Sequence, residues 1–322
     1  MRVPLPAAIT TTSNTAMNAP FRLPAVLPRR VPGPWWRIIG AAGAAVALIA
    51  LQGCSAIKLG YNQSPEIAYW WLDGYVDFEG DQTRKVREDL AGLQQWHRTT
   101  ELPQIDTLLA QTEKLALQNV VPAQTCQIAE GIRTRLTALA QQAEGPLTVA
   151  ALDLEPQQIA NIRKKFERNN ADYRKEWLEA TLPEQRALRF KQVLERSETM
   201  YGRLDGAQRD AIRQQIERSS FDAQRSHAES LRRQQDVLQT LEKMHAGNPS
   251  LAEARASIHG VMERAFNTPD AALRKYQETL LREGCDSAAT VHNSTSVAQR
   301  ETALKRLQSY RRDVKILMTQ EP

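Results

Sequence analysis

Three cysteines, five histidines and 37 acids are the groups with which this 322-residue chain could do chemistry. His97 and Glu101 are spaced HxxxE in the stretch WHRTTELP, and His292 opens HNSTS. Neither forms HExxH or offers a second close ligand pair, so a zinc site is unsupported, and polar turn residues explain both. His227, His245 and His259 stand singly in helical segments. There is no GxSxG elbow for a serine nucleophile. A pair of carboxylates is all that a glycosidase needs, and Asp73, Asp77 and Glu79 beside an aromatic run are where such a pair would be sought. That keeps a cell-wall enzyme as the alternative reading, with no catalytic residue, metal or cofactor assigned.

The cysteine with the most informative surroundings is Cys54. Residues 1–53 carry Arg2, Arg22, Arg29, Arg30 and Arg37 and no Asp or Glu. Directly after Arg37 comes an apolar run, Ile38 to Leu51, shorter than the roughly 20 residues of a spanning helix and matching the h-region of a signal peptide. The run ends in Leu51-Gln52-Gly53-Cys54, which resembles the lipobox recognised by diacylglyceryl transferase and signal peptidase II. The thiol would take the lipid as a thioether, and Gly53 would leave room for the peptidase at the scissile bond. The expectation is a lipoprotein signal peptide over 1–53, cleavage before Cys54, and fatty-acid anchoring to a membrane facing the periplasm. The long leader before Arg37 holds seven of the 16 prolines and reads as disordered. Arg29-Arg30 invites a twin-arginine reading, but the following VPGPWW lacks its apolar pattern. Ser55 follows the cysteine instead of the inner-membrane retention signal Asp, which favours the outer membrane.

Removing the leader changes the meaning of the charge. Of 42 Lys and Arg, five lie before Cys54, leaving 37 against 37 Asp and Glu. The mature chain is formally neutral, so the overall pI near 9.1 gives no ground for a nucleic-acid partner. The expected partners are the membrane, through the N-terminal lipid, and envelope proteins. With Cys54 committed, Cys126 and Cys285 remain for an oxidising compartment where thiols pair. A disulfide is expected between them; a metal site or two unpaired thiols are the alternatives.

The remainder reads as all-α. Residues 54–63 serve as lipidated N-terminus and short linker, and 64–322 as a single all-helical domain. Ser64-Pro65-Glu66 is a helix start with serine as N-cap and proline in the first turn. Tyr69, Trp70, Trp71 and Tyr75 follow in the densest aromatic cluster of the chain. Such a cluster usually plugs a core, and a membrane-facing or partner-facing surface is the functional alternative. Apolar residues then recur at three- and four-residue spacing. Breaks are expected at Leu102-Pro103, Val121-Pro122, Gly145-Pro146, Leu182-Pro183, Asn248-Pro249 and Thr268-Pro269, giving eight to ten helices. Asp205 to Met244 reads as one long helix, paired with the equally charged Glu155 to Ala180.

Three stretches carry a family resemblance: KLGYNQSPEIAYWWLDGYVDF after the lipobox, DLEPQQIANIRKKFERNNADYRKEWL, and GCDSAATVHNSTSVAQRETALKRLQSYRRDVKIL. Together they resemble an uncharacterised family of Gram-negative lipoproteins across the mature chain, most specifically at Tyr69 to Tyr75. The resemblance implies class and location and no activity. The helix starts LEPQQ at Leu154, LPEQ at Leu182 and LDGAQ at Leu204 are similar to the Leu-Thr-x-x-Gln turns of Spy- and CpxP-type periplasmic chaperones, without the threonine. Ordinary capping explains them equally well.

Overall fold

The computed structural model describes residues 56–320; the leader, its apolar run and Cys54 lie outside the described residues. From Ile57 onward the described residues gather into one compact unit, and the described residues contain no strand. In chain order the helices are α1 (Ala56–Asn62), α2 (Ser64–Val76), α3 (Asp81–Trp96), α4 (Leu102–Leu115), α5 (Pro122–Leu152), α6 (Pro156–Tyr173), α7 (Leu182–Tyr201), α8 (Gly206–Arg218), α9 (Ala223–Gly247), α10 (Leu251–Phe266), α11 (Ala271–Ser294) and α12 (Val297–Thr319).

Several boundaries differ from the sequence reading, each for a local reason. The expected linker is helical from Ala56, and Ser64 is not an N-cap. Gln63 N–H bonds to Leu59 O and Ile67 N–H to Gln63 O, so the helical ladder passes almost unbroken from α1 into α2. Pro65 cannot donate to Tyr61 O four residues back; the Gln94 amide does so instead and also donates to the Ser64 hydroxyl. Pro103 does not end a helix either. A π-turn, His97–Glu101, absorbs the missing donor and joins α3 to α4.

Pro146 lies inside α5, where Gly145 has no Cβ to meet the proline ring, and the helix runs for 31 residues. Conversely, the long helix expected over Asp205 to Met244 is broken. Ser219 Oγ and Ser220 N–H both donate to Glu283, and Asp222 Oδ1 caps Gln224 N–H and Arg225 N–H to open α9. The expected pairing survives in its second half: α9 runs antiparallel to α6, joined by the reciprocal amides Asn170–Gln234, the Arg163–Glu242 ion pair, and Ile159, Ile162, Leu238 and Leu241.

Helix α5 is the spine. It packs against α11 along its first half, α10 along its second, and α3, α4 and α9 elsewhere. Gly131 allows the close approach of α4, since a Cβ there would stand 2.8 Å from Leu108 Cδ1. The fully buried residues of α5 are Glu144 and Thr148, not aliphatics. Glu144 accepts from Arg255 Nε and pairs with His259 Nδ1, both at 2.8 Å, and those bonds hold its carboxyl below the usual range. Apolar burial is divided among four small clusters: around Val76, Ile159 and Leu241; around Leu204, Ile212 and Val291; around Leu102, Val314 and Leu317; and around Met244, Ala254 and Ile258.

The expected disulfide is present. Cys126 in α5 and Cys285 in α11 are bonded with Cα atoms 5.2 Å apart, and Thr125 Oγ1 donates to Cys285 O beside them. The bond closes a loop of 159 residues, for which chain entropy gives about 5 kcal/mol of stabilisation. Reduction, or Cys126→Ser/Cys285→Ser, is expected to lower the midpoint of a thermal melt with loss of stability of that order. An unchanged midpoint would show that α5 and α11 do not need the staple.

Candidate functional site

The aromatic helix α2 turns its two sides to different surroundings. Tyr69 is buried: its hydroxyl lies 3.3 Å from both Asp73 Oδ1 and Thr83 Oγ1, and the Arg87 guanidinium sits 4.2 Å from its ring. Tyr75 is half-buried, edge-on to Phe166 and accepting from Asn169 Nδ2 at 2.9 Å. Those two belong to the core, as the sequence reading expected of the whole cluster. Trp70 and Trp71 do not; they are 62% and 53% exposed. Residues 69, 72 and 76 share the inward face by helical spacing, whereas 67, 70, 71 and 74 share the outward one.

Extended through the α1–α2 join, the outward face contains Leu59, Gly60, Gln63, Ile67, Trp70, Trp71 and Gly74, all exposed and none charged. Ile67 is 57% and Leu59 61% exposed. A contiguous uncharged stripe of large apolar side chains is what water disfavours most on a surface, and it marks a contact site.

Of the carboxylates considered for sugar hydrolysis, Asp73 has a local duty, while Asp77 and Glu79 are exposed. Asp73 Oδ1 accepts Phe78 N–H at 2.9 Å, closing the turn in which Asp77 takes a left-handed conformation with φ 64°. His97 Nδ1 lies 3.1 Å from the Tyr61 hydroxyl, while Glu101 pairs with Arg135, so the HxxxE pair is divided between two neighbours. These bonds are made from a π-turn between two helices, where the sequence reading expected polar turn residues. His292 Nε2 lies 2.7 Å from Gln118 O, which can only accept; Nδ1 is therefore the acceptor for the Tyr201 hydroxyl at 2.9 Å. His227 stacks on Tyr173 with centroids 5.1 Å apart. No group of three or more potential metal ligands occurs among the described residues. An open cleft of about 620 Å³ lies between the start of α3, the α5–α6 corner and the end of α9; its Lys85 and Asp153 pair with each other at 3.4 Å.

One feature was only half visible in the sequence. At two corners, paired glutamines clasp helices together. Gln82, second in α3, and Gln158, third in α6, each accept the backbone N–H three residues earlier, from Glu79 and Glu155. Their amide nitrogens then cross over: Gln82 Nε2 donates to Asp153 O and Gln158 Nε2 to Asp77 O, and the side chains bond to one another. Gln208 and Gln299 repeat the arrangement. They accept from Asp205 N–H and Ser296 N–H, donate to Ser294 O and Arg203 O, and bond to each other. In all four cases the carbonyl used lies five residues before the partner glutamine. LEPQQ and LDGAQ each supply one member, with Leu154 and Leu204 buried beneath it. LPEQ does not: Leu182 is exposed, and Glu184, held below the usual carboxylate range by Thr181, takes the capping role. Gln82 and Gln299 were missed because FEGDQ and TSVAQ lack the leucine.

Two predictions follow from these interior groups. Gln158→Leu or Gln208→Leu leaves a part-buried N–H and carbonyl without these partners and is expected to cost about 1 kcal/mol or more in denaturant unfolding, with Gln185→Leu costing less. Equal losses at the three sites would remove the clasp from the account. The second concerns pH. Burial pushes His97, His227 and His292 below the usual histidine range, and Arg174 adds to this at His227. The unfolded chain takes up these protons as pH falls through about 6.5 while the folded chain resists. Stability should therefore be full above about pH 7 and decline from there toward pH 5. Melting midpoints at pH 7.5 and 5.5 check this, and equal values would contradict it.

The chain belongs to a family of unknown function (DUF6279), whose model matches residues 74–255. The match includes both members of the first clasp and Gln208 of the second; it excludes Gln299, Cys285, and most of the Tyr69–Tyr75 run. No curated protein and no solved structure matches the chain significantly.

Proposed function

We propose that this member of the family is a lipid-anchored helical protein of the bacterial envelope that acts by binding, as an interaction scaffold, through a domain held close to the membrane by a lipid on Cys54. The observation that carries the reading is that α1 begins at Ala56, two residues after that cysteine. A helix so near the anchor leaves little slack and holds its exposed apolar stripe at the membrane-proximal end of the chain. The lipobox and the acid-free basic leader supply the anchor, and Ser55 favours the outer membrane. A chaperone-like variant draws on the paired LEPQQ and LDGAQ corners, whose leucine-plus-glutamine pattern is similar to the turns of Spy- and CpxP-type proteins.

Metabolic labelling with a fatty acid tests the anchor: label and membrane fractionation are expected in the native chain and lost in Cys54→Ala, with the labelled protein in the outer-membrane band of a density gradient. Retention of both in Cys54→Ala would refute it. For the activity, crosslinked envelopes should yield a specific protein partner, and suppression of client aggregation would select the chaperone variant. Release of muropeptides from purified peptidoglycan would replace the scaffold reading with a cell-wall enzyme.

A further inference from the structure

The exposed stripe on α1 and α2 is a surface feature that packing within the domain does not use. Tyr69 and Val76 on the opposite side are buried and Leu72 is half-buried, so the helix does not need Leu59, Ile67, Trp70 and Trp71 to hold its place. Keeping four large apolar groups in water is unfavourable, and indole in particular combines a broad apolar ring with one N–H donor, a chemistry suited to the boundary between acyl chains and headgroups.

Three observations choose the occupant. The stripe carries no charge over seven successive outward positions from Leu59 to Gly74, so no salt bridge to a protein partner can form on it. Its N-terminal end lies five residues after Cys54, which itself closes the Leu-Gln-Gly-Cys sequence at the end of the apolar run Ile38 to Leu51. At the edge of the stripe stands a guanidinium: Arg87 lies 5.7 Å from the Trp70 ring and pairs with Glu66 at 3.5 Å, which gives the apolar face a polar rim. No helix among the described residues is long and apolar enough to cross a membrane; a helix with one uncharged apolar face is suited to lying in the interface.

We infer that the outward face of α1–α2, through Leu59, Ile67, Trp70 and Trp71, inserts into the interfacial layer of a phospholipid bilayer. The inference rests on the lipid-anchor reading for its location. In this arrangement the acyl chains on Cys54 hold the protein at the membrane and the stripe sets its orientation there. One anchoring point leaves a domain free to swivel; a second, rigid contact removes that freedom.

The test replaces the natural anchor so that it does not depend on lipidation. The chain from residue 55, which contains the whole compact unit, is given an N-terminal hexahistidine and tethered to vesicles of phosphatidylethanolamine and phosphatidylglycerol through a nickel-chelating lipid. The acyl chains carry bromine, which quenches indole emission on contact. Tethered native chain should be quenched, and Trp70→Gln/Trp71→Gln should lose most of the quenching while remaining bound and folded by circular dichroism. The emission left in that variant comes from Trp96 and Trp177, half-buried and buried and neither on the stripe. An unquenched native chain on the vesicles, or quenching that survives the double substitution, would overturn the inference. A dimer in free solution that the double substitution abolishes, with no quenching on vesicles, would also overturn it and assign the stripe to a second copy. Failure of fatty-acid labelling at Cys54 would leave this measurement intact and count against the anchor alone.

Discussion

The interaction on which the rest of the fold depends is the double duty of a glutamine amide at a helix start. Helix ends leave backbone N–H and C=O groups without partners, and corners between helices bring both kinds together. Gln82, Gln158, Gln208 and Gln299 use Oε1 for an N–H of their own helix and Nε2 for a carbonyl at the end of another. A glutamate in the same position has no donor to spare. The boxes at Thr181–Glu184 and Ser250–Glu253 show this: each closes on itself and reaches no second helix. The clasps join the corners α2–α3 to α5–α6 and α7–α8 to α11–α12, so four helical hairpins are held in two crossed pairs. The apolar clusters around Val76 and Leu204 lie beside them.

Polar fixation matters here because apolar burial is thin. The helices are rich in charge, and several charges are buried with their partners. Arg98 on the π-turn donates to Leu317 O and to Asn62, tying α12 and α1 to the α3–α4 joint. Arg311 bridges Asp106 and Glu113 across the antiparallel α4–α12 pair, and its bond holds Asp106 below the usual range. Burial pushes Glu229 upward, but Arg232 and Arg233 outweigh it and keep the carboxyl low. Such bonds stabilise less than their number suggests, since each charge has first to be desolvated. Their effect is on specificity: a helix that slipped by one turn would leave these groups buried and unpaired.

How much of this was legible in the sequence depended on whether the signal was local. Helical periodicity gave the all-α class, and the pairing of Cys126 with Cys285 followed from counting thiols. Proline was a poor guide wherever a neighbour supplied the missing donor or space: Gln94 at Pro65, the π-turn at Pro103 and Gly145 at Pro146 each keep a helix going. The break at Ser219–Asp222 was missed because its cause, Glu283, lies 64 residues away in the sequence. Within Tyr69 to Tyr75, composition alone merged two populations that only the packing of α3 and α6 separates. The glutamine clasps were half visible. The leucine-plus-glutamine spacing marks one partner of each pair, and nothing in one dimension says which residue on a distant corner answers it.

These two properties, a locked corner and an unpartnered face, meet in the same helix. Asp73 closes the C-terminal turn of α2 from within, while Gln158 donates its amide to Asp77 O and Asn161 Nδ2 reaches Val76 O, so the end of α2 is held from α6 by two polar bonds in addition to its apolar contacts. The start of α2 is held through the α1–α2 join, by Arg98 at Asn62 and by the Tyr61 hydroxyl near His97. A helix gripped at both ends cannot roll to hide its outward side chains against its own core. Burying Trp70 and Trp71 internally would mean rotating Tyr69 and Val76 out and breaking the first clasp, so their exposure is a constraint imposed by the fold. Whatever covers that face meets a rigid surface and gains orientation as well as contact.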